Sequence, residues 1–334
     1  MEAFYGYRLP GNGTETIAFR SCSIADGIRN GFAVAPFRQD RHRTLSFTGG
    51  EKADISGLDS FARRINITAP LSGSTTREQH RMEVERIVTE VKSGNLIKAV
   101  AARQLVMESE FSLSTTFLRL CLEYPEAFIF CFGSEVTGIW LGASPETLVA
   151  GQRGLLTSMA LAGTRSAEAS GDWDDKNLKE HNVVRDFIRD AFESAGLAAE
   201  TGPTHTAQAG PVEHLRTYIT ARIREAEDRF DMAAVAELAL RLSPTPALCG
   251  FPVESAMRII DVCENFDRSY YGGFCGPYQN EGDFNFFVNL RSLRLTPAGC
   301  ALYAGGGINE MSAPDDEWLE TENKLSTLLR CLQT

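Results

Sequence analysis

The chain has 334 residues, 43% of them hydrophobic and 23% charged, enough for one large core or two small ones in a soluble globular protein. Residues 1–76 hold nine Lys/Arg against seven Asp/Glu, so of the net charge of −11 the remainder carries −13. An acidic main body excludes a nucleic-acid binder, which needs a basic face, and no apolar run reaches the length of a membrane span.

The opening "MEAFYGYRLPGNGTET" lacks the basic-then-apolar layout of a secretory leader, so a cytoplasmic protein is expected. Up to about residue 76 the text is broken by Gly, Pro, Asn and Ser, with short strand-like pieces such as "TIAFRS" and "FAVAPF". Regular periodicity starts at Thr76. "TREQHRMEVERIVTEVKSGN" repeats its apolar residues at helical spacing and stops at Gly94–Asn95. "LIKAVAARQLVME" reads as a strand, "TTFLRLCLEYPEAF" as a helix, and "FIFCFGSEVTGIWLGASPETLVAG" as paired strands with turns. "DDKNLKEHNVVRDFIRDAFESAG" is an amphipathic helix ending at Gly196. Two further helices, "FDMAAVAELALRL" and "VESAMRIIDVCEN", are separated by the Pro-rich "SPTPALCGFP". "FNFFVNLRSLRL" and "CALYAGGGI" read as strands, and "APDDEWLETENKLSTLL" closes the chain as a helix.

Hairpin-type neighbours mixed with long helices predict an α+β fold, with antiparallel sheets packed together and flanked by helices. The glycines at 305–307 follow a strand but lack dinucleotide-binding spacing. Eight scattered cysteines without a C-x-x-C pair read as buried, reduced thiols, not as a disulfide frame or a zinc site.

Several segments carry chemically useful side chains, each open to two readings. At about 100° per residue, Glu317, Glu320 and Lys324 share a sector bordering the stripe of Trp318, Leu325 and Leu329. Asp315 and Asp316 suit a helix start, with Ser312 and Pro314 beside them. Glu317 and Glu320 are either surface acids with a Glu320–Lys324 salt bridge or half of a metal site. Glu180 likewise sits beside Val183, Val184 and Phe187. Two helices offering inward-edge glutamates would suit Mg²⁺, a hard ion that takes a few carboxylates and keeps room for water or substrate oxygens. Glu146 follows Pro145 and precedes an apolar strand. Lys98, among Ile97, Ala99 and Val100, is either an edge-strand charge reaching water or a desolvated amine. Arg291 in a buried-looking strand and Tyr271 beside two glycines could grip a carboxylate.

Taken in order, "IKAVAAR", "GASPETLV", "ALAGTR", "KEHNVVRD", "VEHL", "SPTPALCGFP", "FDRSYYGGFCGP", "FVNLRSLRL", "YAGGGI" and "EWLETENKLSTLL" resemble the chorismate-utilising enzymes. That family includes isochorismate, salicylate, anthranilate and aminodeoxychorismate synthases. The resemblance runs from about Thr76 to Leu329. It implies a catalytic core over 77–331, with 1–76 as a shortened N-terminal part of the same domain.

The resemblance also implies how the residues divide the work. Mg²⁺ would be held by Glu180, Glu317 and Glu320 and would bind the ring carboxylate of chorismate. Tyr271, Arg291 and the N–H of Gly305 would hold the enolpyruvyl carboxylate. Lys324 would lie near the metal-bound carboxylate, with Thr164 and His214 lining the pocket. Lys98 matches the base that activates water in members that do not use ammonia, and Glu146 the acid that protonates the departing C4 hydroxyl. Ala162 stands where aminodeoxychorismate synthases place a nucleophilic lysine, and Ser243 replaces a histidine found in many members.

The expected activity is therefore an isochorismate synthase for menaquinone or a catecholate siderophore, acting as a monomer or a homodimer. A salicylate synthase is one alternative, and an aminating subunit with a glutaminase partner is another.

Overall fold

The computed structural model describes residues 2–13, 15–67, 72–209, 212–223, 232–279 and 283–332. Six strands open the chain: β1 (Ala3–Arg8), β2 (Ile17–Arg20), β3 (Ser23–Asp26), β4 (Gly31–Ala35), β5 (Leu45–Thr48) and β6 (Glu51–Ala53). The short helix α1 (Leu58–Ala62) leads to α2 (Arg77–Lys92), β7 (Lys98–Glu108) and α3 (Leu113–Glu123). Next come β8 (Phe128–Ser134), β9 (Gly138–Ser144), β10 (Thr147–Gln152) and β11 (Leu155–Ser166). After α4 (Asp175–Ser194) run β12 (Glu200–Thr201), β13 (His205–Ala209) and β14 (Val212–Arg222). The chain then forms α5 (Met232–Leu242), β15 (Gly250–Phe251), α6 (Val253–Cys263), β16 (Phe274–Tyr278) and β17 (Phe284–Val288). It closes with β18 (Ser292–Thr296), β19 (Gly299–Ile308) and α7 (Pro314–Leu332).

The strands form two sheets whose described pairings are antiparallel. The first runs β15-β7-β19-β18-β9-β8-β1-β2-β6, and the second β12-β14-β11-β10-β17-β16-β4-β5-β3, with β13 also on β14. This is the expected α+β class. Strands from residues 1–76 enter both sheets, β1 between β8 and β2 and β4 between β16 and β5.

Strand period sets the layers. In β8, Phe128, Phe130 and Phe132 point between the sheets, while Ile129 and Cys131 point to the outer cluster with Phe117, Leu120 and Leu325. Phe128 stacks at 4.1 Å on Phe287 of the opposite sheet. A third cluster, including Val84, Ile87, Ile259 and Ile260, packs α2 and α6 against β7.

Local chemistry starts the helices where the text changes. Thr76 and Gln79 form a reciprocal capping box at the head of α2. Asp174 accepts from Asn177 N at 2.7 Å to cap α4. The α3 helix stops at Glu123, short of the segment read as helical, because Tyr124 precedes Pro125 and leaves the helical region at φ −127°.

The larger departure concerns "FNFFVNLRSLRL". It forms two strands, β17 in the second sheet and β18 in the first, with the chain crossing at Asn289–Arg291. Arg291 has φ +48°, a region non-glycine side chains rarely adopt. A second crossing, at Pro145–Glu146, joins β9 to β10.

All eight cysteines are free, and seven of them are buried. No helix among the described residues is long and apolar enough to cross a membrane.

Candidate active site

The two crossings border a cavity whose walls include β11, β14, β19 and α7. Nine of the eleven expected residues line it: Glu146, Thr164, Glu180, His214, Tyr271, Arg291, Gly305, Glu320 and Lys324. Lys98 and Glu317 lie just outside this lining. Lys98 borders an adjoining cavity that shares Glu180 and Gly307 with the first. Glu317 stands behind Gly306, where an added Cβ would fall 3.0 Å from its Oε2.

At one end lie the carboxylates. Lys98 is only 2% exposed and donates to Glu180 at 2.6 Å. It is thus neither of the two readings alone: it is buried, and its charge is paired. Lys324 donates to Glu320 at 2.6 Å and to Gly305 O at 2.8 Å. Lys176 stands 3.3 Å from Glu317 Oε1. Glu317 is 3% exposed, and its Oε2 has no hydrogen-bond partner. Burial and the neighbouring Glu320 push the Glu317 carboxyl up, with Lys176 pulling back. Burial would also raise Glu320, but Lys324 holds it below its ordinary value.

Glycines admit this crowding. A Cβ on Gly307 would sit 2.3 Å from Glu180 Oε1, and one on Gly306 would lie 3.8 Å from Glu320 Oε1. Three carboxylates from two helices therefore converge on the same two residues of β19. The donor set is all oxygen and one oxygen is unpartnered, which fits a hard divalent ion. Among the described residues, no three acids already stand at joint coordination distance. Each is drawn instead to its own lysine.

The other end is cationic and aromatic. Arg291 donates to Thr327 Oγ1 at 3.0 Å and has no carboxylate ion pair among the described residues. Tyr271 is 2% exposed, stacks on Tyr303 at 5.2 Å, and is pushed up to about 12 by burial, so its hydroxyl is a donor. That hydroxyl lies 3.3 Å from where a Gly305 Cβ would stand. A buried guanidinium without a counterion, beside a phenol, is built for an anion.

Glu146 enters from the first crossing. It is 2% exposed, its Oε1 has no partner, and burial pushes it up to about 8 against the pull of Lys98 and Lys324. It therefore holds a proton near neutral pH. His214 Nδ1 meets Thr164 Oγ1 at 3.1 Å and Gly163 O at 3.3 Å. Burial, then Arg291 and Lys324, lower its pKa to about 3, so the ring is neutral. The carbonyl can only accept, which places the proton on Nδ1 and leaves Nε2 as an acceptor.

Gly163, at φ +77°, is the bulge of β11 that allows Thr164 N to donate to Asn177 Oδ1 at 2.9 Å. His181 fastens the next turn of α4 to Thr217 Oγ1 at 2.7 Å, fixing the direction of Glu180.

Sequence reasoning missed Lys176 and Asn177. The signal for Lys176 was its i,i+4 spacing to Glu180, which puts both on one helix face. Ala162 lines the cavity, so no lysine stands at that position. Ser243 is buried but does not line the cavity, whose wall here is Ala247 and Leu248.

Comparison with known proteins adds a family. A family model described as "Chorismate binding enzyme" matches residues 59–333. Isochorismate synthase MenF of Bacillus subtilis is 28% identical over 310 residues, covering 85% of this chain and 64% of that protein. The chain thus spans under two thirds of that relative's length. Isochorismate synthase MenF of Escherichia coli is 30% identical over 304 residues, covering 84% of this chain and 68% of the relative. The solved structure of MenF, the menaquinone-specific isochorismate synthase from Escherichia coli, superposes with a TM-score of 0.77 at 22% identity. It covers all of this chain and 89% of that one, a likeness of fold.

Proposed function

The chain belongs to the chorismate-binding enzyme family, and on that premise we propose that it is an isochorismate synthase. It acts on chorismate in the cytoplasm, as a monomer or a homodimer, and its product supplies menaquinone or catecholate-siderophore synthesis. The observation that carries this reading is a pair of side chains in adjoining cavities that share Glu180 and Gly307: a protonated glutamic acid at the β9–β10 crossing in one and a buried lysine on β7 in the other.

Chorismate carries two carboxylates, and the cavity has two ends to receive them. Arg291 and the Tyr271 hydroxyl hold the enolpyruvyl carboxylate, and His214, Thr164 and Lys324 bound the ring. Magnesium, when bound, would be held by Glu180, Glu317 and Glu320 and would neutralise the ring carboxylate.

Lys98, having first given up its own proton, takes one from water as the water adds at C2, the ring double bonds shift, and the C4 oxygen leaves as water with the proton of Glu146. One hydroxyl enters and one departs, so the net reaction is an isomerisation. Hydroxide is a poor leaving group, which is why a carboxyl held protonated by burial suits that position. A basic residue at 98 favours water over ammonia as the nucleophile.

Incubation with chorismate and magnesium, followed by chromatographic separation of products, tests the reading. Isochorismate should accumulate without pyruvate. Salicylate with equimolar pyruvate would make the protein a salicylate synthase, and aminated product formed from ammonia would overturn the role of Lys98.

A further inference from the structure

Three carboxylates and three ammonium groups meet beside Gly306 and Gly307, but the three pairs are unequal. Lys98 is fixed within β7, and Lys324 is held by Glu320 and by the carbonyl of Gly305. Lys176 has one hydrogen-bond partner among the described residues, Glu317, at 3.3 Å. Its side chain is 28% exposed, whereas that of Glu317 is 3% exposed. Lys176 also borders the second cavity, with Lys179 and Met311 at its rim, so its ammonium has a path to solvent. Glu317 holds it with Oε1 alone and turns its unpartnered Oε2 towards Gly306.

We propose that Lys176 is an exchangeable counterion: it neutralises Glu317 until a divalent cation takes that carboxylate, and it must swing into the second cavity for the cation to bind. This inference rests on the magnesium reading given above.

The physical case is one of charge. A carboxylate so buried needs a cationic partner, because an unpaired buried charge is costly. Two cations on one carboxylate, a few ångströms apart and poorly solvated, repel strongly. Of the three lysines only Lys176 combines a loose pair with an open path, so it is the one that yields. The three pairs sum to zero charge, so a divalent ion leaves an excess of two positive charges at this end, of which the ring carboxylate cancels one and loss of the Lys98 proton the other, the enolpyruvyl carboxylate being matched by Arg291. Lys176 therefore sets how tightly the cation binds before substrate arrives. It is a positioning residue for Glu317, acting on the substrate only through that carboxylate.

Isothermal titration of the full chain with magnesium chloride, beside melting curves with and without the ion, tests this. Lys176→Gln removes the competitor, so magnesium should bind about tenfold more tightly, equivalent to about 1.4 kcal/mol. That variant should melt lower than the parent without magnesium and gain more from its addition. Lys176→Arg should bind magnesium more weakly than the parent, because a guanidinium can grip a carboxylate with two donors. It also serves as the readout if the glutamine variant fails to fold. Lys179→Gln, which removes an equal charge from an exposed neighbour, should stay near the parent.

Magnesium affinity unchanged in both Lys176 variants, or tightened equally by Lys179→Gln, would overturn the exchange while leaving the metal reading in place. Absence of saturable magnesium binding in the parent would remove both.

Discussion

Glu146 shows how position alone can prepare a side chain for chemistry. Burial pushes it up to about 8 from an ordinary 4.5, and the two lysines nearby do not bring it back. A raised carboxyl favours the folded state when protonated. Its contribution to stability is therefore fully present below the ordinary value and is lost as pH rises through about 8. Activity that needs the acid form should fall over the same upper limb. Glu146→Gln keeps the neutral shape, so it should melt higher than the parent above pH ~8 while turnover drops about 10²–10⁴-fold.

Glu83 shares the window. It is 6% exposed, its Oε2 is unpartnered, and burial with Glu264 nearby pushes it up to about 8. Glu83→Gln should flatten the stability profile yet leave the pH–activity curve in place, and paired melting and rate profiles would separate the two acids. A shifted activity curve in that variant would remove Glu146 as the titrating acid. The text marked Glu146 as a candidate but gave no sign of Glu83, whose burial arises only when α2 meets α6.

Among the elements, α7 presents Glu317 and Glu320 to the site and is held in place by one cation from β7. Arg103 is 2% exposed, donates through Nε to Thr321 Oγ1 at 2.7 Å, pairs with Glu322, and covers the Trp318 ring at 3.9 Å. His80 of α2 meets that ring edge-on at 5.5 Å. Trp318 thus anchors the helix through a cation, while Leu325 and Leu328 supply the apolar contact. Arg103→Met should cost about 1–3 kcal/mol, the scale of stranding buried polar partners, and should raise the magnesium concentration needed for half-maximal rate. Denaturant unfolding and a magnesium titration of activity check both parts. An unchanged magnesium requirement would mean that apolar packing alone places the acids. Helical spacing in the text put Glu317, Glu320 and Lys324 in one sector because that period is local. The loose partner of Glu317 comes from a different helix, so nothing near Glu317 in the text could announce Lys176.

On the scale of the molecule, the cavity lies beside two of the chain's several passages between sheets, at Pro145–Glu146 and at Asn289–Arg291. Many strands were legible, as in "FIFCFG", because their periods follow from which faces are buried, but β11 and β14, which wall the cavity, were not read as strands. Which sheet a strand joins was not legible. "FNFFVNLRSLRL" reads as one apolar run, and the turn at Arg291 uses a positive φ without a glycine to mark it. Both crossings bring a functional side chain into the cavity, Glu146 from one and Arg291 from the other, and neither sheet alone could supply both. On the reading proposed here, this arrangement exchanges one hydroxyl for another by adding solvent water. Running the reaction with chorismate in heavy-oxygen water and locating the label by mass spectrometry tests it most directly. Isochorismate should carry one heavy oxygen, at C2. Isochorismate without label, formed by migration of the C4 hydroxyl within the ring, would contradict it.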